Sequence, residues 1–390
     1  MRIDKHKNDC CGCTLCSEIC PKDAIRMKPD VMGFLYPEVD DSRCIDCGLC
    51  TKYCAFTPTY KTEKNLPQPI AYGGKHKDPD NIAKSQSGAA FVALSDYILS
   101  LGGVIYGAGY GEHFRVVHKR AANESGRDEF RGSKYVQSDM TGVYASIKED
   151  LDHERIVMFT GTPCQTAAVS SCFAKHKLRQ NLYLMDIVCH GVPGPYMWEA
   201  YLEFLEERQG EKLTKVNFRD KGYKGWHSHV ESFTFAHSHT YTYTYTYTYT
   251  YLFYSHINLR YSCANCPYTN LRRTSDVTVA DFWGIEKSQA AHLGEDNKGC
   301  SLFLLNTPKG VEWFGKIKEN LLCQEVRLDE CMQPQLMHPA ELHKKRDQFE
   351  ADYAKYGFAY VRRKYGNVGI NRIENAIKKI LRPVIKKYKR

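Results

Sequence analysis

Eight cysteines carry the clearest chemistry in this chain of 390 residues. Cys10, Cys13, Cys16 and Cys20 fit the spacing C-x2-C-x2-C-x3-C followed by Pro21, and Cys44, Cys47, Cys50 and Cys54 repeat it. Three thiolates on one tight loop cap three irons of a cubane, and the fourth, remote cysteine serves the other cluster. This rule assigns Cys10, Cys13, Cys16 and Cys54 to one 4Fe–4S cluster. It assigns Cys44, Cys47, Cys50 and Cys20 to a second. Gly12 and Gly48 relieve crowding where backbone N–H groups turn toward sulfide, and Pro21 ends the first ligand helix by withholding a donor. Ala55 stands where the second run would carry its proline. Zinc also binds CxxC pairs, but it needs four ligands per ion, for which two complete runs are redundant. Cys11 is spare and reads as a bystander thiol.

The elements that position further chemistry lie downstream. Residues 57–80 carry Pro58, Pro67, Pro69 and Pro79 and read as a linker. Phe91, Leu94, Ile98 and Leu101 step by three and four, which predicts an amphipathic helix with Ser87 as N-cap and Gly102-Gly103 as its stop. Val104-Ile105-Tyr106 follows as a short strand. Gly107-Ala-Gly109-Tyr-Gly111 reads as a turn, because the next segment resembles a strand and not the helix a nicotinamide fingerprint requires. Arg155–Thr160 and Leu182–Val188 are strands flanking a helix, hence parallel. Cys164 and Cys189 then sit at carboxyl ends of strands, where open α/β sheets place ligands. Two buried structural cysteines are the alternative. Thr240–Tyr251 alternates Thr and Tyr strictly. Its period of two suits a strand or hairpin. It reads either as an aromatic platform or as a low-complexity expansion.

Composition narrows the class. Hydrophobic residues make up 43% and charged residues 25%, ordinary for a globular protein. There are 17 cysteines, far more than packing alone asks for. Met1–Asp9 has no apolar core of a signal peptide, so the expected compartment is the cytoplasm, where thiols stay reduced. The net charge is +9, and a surplus of +11 falls in residues 343–390. The basic character therefore belongs to the tail, and no general nucleic-acid footprint follows.

Several motifs occur in order: Ser87-Gly88 before a helix, Arg131-Gly-Ser-Lys-Tyr135-Val-Gln-Ser138, Gly161-Thr-Pro-Cys164-Gln165 and Asp186-Ile-Val-Cys-His190-Gly191. Phe218-Arg-Asp-Lys221, Ser262-Cys-Ala-Asn-Cys266 and Ala280-Asp-Phe-Trp-Gly284 follow. Over roughly residues 1–310 the set resembles the beta-subunit family of coenzyme F420 hydrogenases and dehydrogenases, in the bacterial branch with an N-terminal ferredoxin fusion. Where relatives often have Gly-Gly, this chain has Gly88-Ala89, and where they have Gly-Asp it has Ala280-Asp281.

The resemblance implies an α+β chain. A dicluster ferredoxin-like domain (1–60) and a linker (61–80) would precede an α/β flavin-binding domain with a parallel or mixed sheet (81–345). A basic helical tail (346–390) would follow. It implies an iron–sulfur flavoprotein oxidoreductase moving electrons between clusters and FAD, and on to a deazaflavin or another organic acceptor. Bacterial relatives often accompany surface-polysaccharide genes. FAD carries a pyrophosphate, which asks for backbone N–H groups and cations. Ser85, Ser87 and Gly88 are the candidate cradle, with Arg131, Ser133 and Lys134 adding charge and donors. A plain helix cap and a solvated surface are the respective alternatives.

Cys263 and Cys266, with Cys164 and Cys189, would hold a third 4Fe–4S cluster. A zinc half-site or a redox dithiol competes. His190 would steer protons, Arg219 and Lys221 would hold an anionic substrate, and Asp281 would orient a ring. Each also has an ordinary structural reading. Expected partners are a redox protein or a small-molecule acceptor, and no nucleic acid. Residues 370–390 place apolar residues at helical spacing among Lys and Arg, which fits peripheral contact with the inner membrane face. A non-catalytic electron-transfer subunit and a redox sensor are the rival functions.

Overall fold

The computed structural model describes residues 3–373 except 61, 63, 238–239, 245–247 and 370–371. The expected helix over 370–390 therefore lies almost wholly outside the described residues.

The N-terminal module is small. Strands β1 (Ile25–Pro29) and β2 (Leu35–Val39) pair antiparallel. Two single-turn helices, Leu15–Glu18 and Leu49–Lys52, carry ligand cysteines. Gly12 and Gly48 have φ of 67° and 71°, the left-handed turn that each cysteine loop requires.

The larger part is an α+β body around a mixed sheet. Its strands are β3 (Ile70–His76), β4 (Val104–Tyr110), β5 (Val116–Ala121), β6 (Val157–Gly161) and β7 (Leu182–Ile187). A second group, β8 (Leu213–Asn217), β9 (Val230–Phe235) and β10 (Tyr241–Thr244), forms a separate antiparallel sheet. The chain then returns to the large sheet with β11 (Val277–Asp281), β12 (Ser301–Leu305) and β13 (Leu321–Val326). The order is β13-β3-β12-β11-β7-β6-β4-β5, and the four consecutive strands β11, β7, β6 and β4 run parallel.

Alternation along these strands makes two cores. Val104, Tyr106, Val157, Phe159, Leu182 and Leu184 face helices Val143–Asp152 and Pro163–Cys172, together with Leu15, Phe56 and Tyr60 of the cluster module. Ile105, Met158 and Met185 face helices Ala90–Ser100 and Pro308–Ile317. The cluster module thus shares a core with the sheet.

Four expectations change. Residues 70–76, read as linker, are β3, because Ala71 and its neighbours pair with both β12 and β13. Gly107 and Gly109 are strand residues, not a turn. A Cβ at Gly107 would meet the Phe130 ring at 2.8 Å, so glycine serves packing there. Ser87 is not the helix cap; Ala89 is, at φ 65°, and the Ser87 hydroxyl donates to the Cys300 carbonyl at 2.6 Å. Among its described residues, the Thr-Tyr tract is a strand over β10. Thr248–Tyr254 is helical and buries Tyr249 against Trp198 and Tyr201. Burial against a ready aromatic core outweighs the sequence's β preference.

Candidate functional site

The candidate ligand cysteines lie in three groups. The Cys16 thiol is within electrostatic reach of Cys13, Cys10 and Cys54. Cys20, Cys44, Cys47 and Cys50 line one small cavity at the other end of the module. Cys164, Cys189, Cys263 and Cys266 line a third, at the carboxyl ends of β6 and β7 and beside the turn Tyr261–Asn265. Burial raises the Cys189 thiol to about 12 and the Cys263 thiol to about 11. Among the described residues, no three His, Cys, Asp or Glu side chains converge on one ion-sized point. A cubane does not ask for that, since each thiolate caps its own iron.

Beside the third group a cavity of about 570 Å³ opens over the carboxyl ends of the parallel strands, a size in the range of small-molecule sites. Its floor comes from Thr160 and Gly161 at the end of β6, from Ile187 at the end of β7 and the residues to His190, and from Asp281 at the end of β11 and Trp283 beyond it. Ser85, Ser87, Arg131, Ser133 and Lys134 form one wall, and Phe253 and Tyr254 another. Cys189, His190 and Thr162 belong to both this cavity and the thiol-lined one, so the two adjoin.

Residues 9–57 match the 4Fe-4S dicluster domain family. Residues 154–330 match the family described as the C terminus of the coenzyme F420 hydrogenase/dehydrogenase beta subunit. This part of the chain is thus similar to that beta-subunit family. A chain of the F420-reducing NiFe hydrogenase complex from Methanosarcina barkeri is also similar. It is 16% identical, with a TM-score of 0.46, over 77% of this chain and 92% of that one. No curated protein matches. The chain is thus an iron–sulfur protein of oxidoreductase type.

Within residues 154–330 and the segment before them, the predicted residues divide. The Ser85 hydroxyl and Arg131 Nη1 are buried without a hydrogen-bond partner, at the wall of the large cavity. Such orphaned groups are costly unless a ligand meets them. Lys134 donates to the Arg131 and Gly132 carbonyls, and burial lowers it to about 7.

Gly88 is structural. Its N–H donates to Ser301 Oγ at 3.0 Å, and a Cβ there would lie 2.5 Å from the Gly74 carbonyl. Lys221 also serves structure. Its amine donates to the carbonyls of Ile82, Ser87 and Lys298, and it does not line the cavity.

Arg219 does reach the cavity, 4.0 Å from Asp281 and 5.4 Å from the Trp283 ring centre. Asp281 accepts from Trp226 Nε1 at 2.7 Å, and burial raises its carboxyl. His190 Nε2 is 2.6 Å from His256 Nε2, and burial lowers His190 to about 4.

The sequence pattern does not single out three residues that matter here. His118 lies on the cavity wall, 2.9 Å from Ser138 Oγ and 3.0 Å from the Thr160 carbonyl. Tyr254 closes the opposite side, just beyond the Thr-Tyr tract that draws the eye away from it. Arg260 clamps the cluster module to the domain. It donates to the Cys10 carbonyl at 2.6 Å, the Leu35 carbonyl at 2.8 Å and Gln137 Oε1 at 3.0 Å. The Ser138 and Cys263 motifs flag its neighbourhood, but no spacing rule points to Arg260 itself.

Proposed function

We propose that this chain is an iron–sulfur flavoprotein oxidoreductase, with FAD in the large cavity and a third 4Fe–4S cluster on Cys164, Cys189, Cys263 and Cys266. The observation that carries this reading is the adjacency of the cavity lined by Cys164, Cys189, Cys263 and Cys266 to a larger one whose wall holds the Ser85 hydroxyl and Arg131 Nη1, neither with a hydrogen-bond partner, while the rest of the Arg131 guanidinium is held by Asp128 at 2.7 Å and Asn81 at 2.9 Å. A bound flavin would accept single electrons from iron–sulfur centres and exchange a hydride with an organic acceptor.

The chain's own residues would do the remaining work. Arg131 and the Ser85 hydroxyl would hold the pyrophosphate. Phe253 and Tyr254 would cover the ring system and exclude water. His190, sharing one proton with His256 across 2.6 Å, would hold or release it at its Nε2. Arg219 also lines an outer cleft with Lys224, His227 and Trp283, a cationic and aromatic mouth that suits an anionic acceptor such as a deazaflavin. Cys47 is exposed, whereas Cys16 is buried. The cluster on Cys20, Cys44, Cys47 and Cys50 would therefore face a redox partner, and the other would face the domain. Among the described residues no helix is long and apolar enough to cross a membrane. Membrane contact would rest on the basic tail.

The test is iron, acid-labile sulfide and flavin per chain after purification without oxygen. About twelve irons and one flavin are expected, at four irons per cubane. About eight irons and no flavin, despite added FAD, would overturn the reading in favour of a non-catalytic electron carrier.

A further inference from the structure

The four thiols of the third group come from three stretches of chain. β6 and β7 pair in parallel register, Gly161 opposite Asp186, so the segments that lead to Cys164 and Cys189 leave from one ladder. Cys263 and Cys266 come from the segment between helix Thr248–Tyr254 and β11, outside that ladder. Its near end is pinned beside the Cys189 turn. Leu259 bridges to Pro193, and the Arg260 N–H donates to the Val192 carbonyl at 2.9 Å.

Its far end is tied to β7 by Arg273. Nη1 donates to the carbonyl of Tyr268, two residues past Cys266, at 2.6 Å. Nη2 donates to the carbonyl of Ile187, two residues before Cys189, at 2.8 Å, and lies 3.0 Å from Asp186 Oδ2. Tyr268 is itself fixed, since its hydroxyl donates to the Ala55 carbonyl of the cluster module. Arg273 is 1% exposed and Asp186 fully buried. The arginine lines the thiol cavity with the four cysteines, and its Nε has no hydrogen-bond partner. Burying a charge this deeply is costly unless its geometry is needed. Here a planar fork reaches two ligand-bearing segments at once, which a single ammonium does not reproduce.

We propose that Arg273 is a positioning residue for the third 4Fe–4S cluster, bracing the Cys189 turn against the Cys263–Cys266 segment so that the four sulfurs keep the spacing a cubane needs. The proposal rests on the third-cluster reading. Each thiolate caps its own iron, so drift of one pair of cysteines away from the others opens the site.

The experiment compares the full chain with Arg273→Lys and with the double variant Arg273→Met, Asp186→Leu, all purified without oxygen. The double variant removes both charges together, so no unpaired charge is left buried and the fold is retained. Iron and sulfide are counted, and each centre is followed by electron paramagnetic resonance in the presence of an iron(II) chelator. A Cys263→Ser chain identifies the signal of the third centre. The parent is expected to hold about twelve irons. The double variant should release iron from the third centre about a hundredfold faster, the worth of two hydrogen bonds from a charged donor. Arg273→Lys, which keeps the charge but not the fork, should release it about tenfold faster. The about eight ferredoxin irons should leave at the parent's rate in both variants.

Third-centre release within about threefold of the parent in the double variant overturns the proposal. So does equal acceleration at all centres, which would make the pair a support for the whole fold. A parent with only about eight irons overturns the third-cluster reading and this proposal with it. A parent with about twelve irons and unmoved variants overturns this proposal alone.

Discussion

Arg260 is the residue whose loss should uncouple the cluster module most directly. Its guanidinium is 1% exposed and makes three hydrogen bonds, to the Cys10 and Leu35 carbonyls and to Gln137. It also stacks 4.2 Å from the Tyr36 ring centre. Hydrogen bonds from a charged donor contribute about 1.5 kcal/mol each at the low end, so Arg260→Ala forfeits roughly 4 kcal/mol. Part of that is lost from the whole fold and part from the Cys10–Cys16 loop alone. If half falls on opening of the loop, about 2 kcal/mol, iron escapes roughly thirtyfold faster, since 1.36 kcal/mol is a factor of ten. The assay is anaerobic loss of cluster absorbance in the presence of an iron(II) chelator. Arg260→Lys keeps the charge but not the forked geometry, and should fall between the two. Release from Arg260→Ala within about threefold of the parent, or less than ~0.7 kcal/mol, would refute the clamp.

Other outcomes follow from single contacts. Arg131→Ala should weaken FAD binding about ten- to hundredfold, the worth of one charge-assisted hydrogen bond, as read by flavin fluorescence quenching. His118 is buried and held neutral, its pKa lowered from 6.5 to about 4 by loss of solvent. Unfolded His118 takes up a proton near 6.5 that the folded protein refuses until about 4, so stability drops as pH falls through that window. The loss approaches about 3 kcal/mol, and His118→Gln should flatten the acid limb of the denaturation midpoint against pH. Ala89 holds φ 65°, so Ala89→Gly should stabilise the fold by about 1 kcal/mol in urea unfolding. Gly88→Ala, pressed against the Gly74 carbonyl, should cost about 1–3 kcal/mol in the same assay.

Local rules carried the cysteine loops and the β6–helix–β7 unit, because each is defined by residues within about one supersecondary motif. Ser85, Arg131, His190, Arg219 and Asp281 were legible as a set only through motif order, and they do line one cavity. Long-range pairing was not legible. β3 hides among prolines because its partners β12 and β13 lie more than 200 residues away. Gly107 looked like a turn because Phe130, the ring that requires it, is far along the chain. Lys221 looked like a substrate cation because nothing local announces that three backbone carbonyls surround its amine. Ala89 shows the converse. The left-handed backbone at Ala89, a conformation that favours glycine, is visible only once the helix start is placed.

The Thr-Tyr tract has a consequence for inheritance. Its strand end is anchored by pairing with β9, and its helical end by Tyr249, Leu252 and Phe253 in two adjoining cores. A gene that gains or loses one Thr-Tyr unit by slippage leaves the same letters at both anchors. β10 still reads Tyr-Thr-Tyr-Thr, and the helix still enters Leu252 through Thr-Tyr-Thr-Tyr. Only the number of residues between the anchors changes. Monotony that carries no chemistry thereby makes this wall of the cavity indifferent to a common class of copying error.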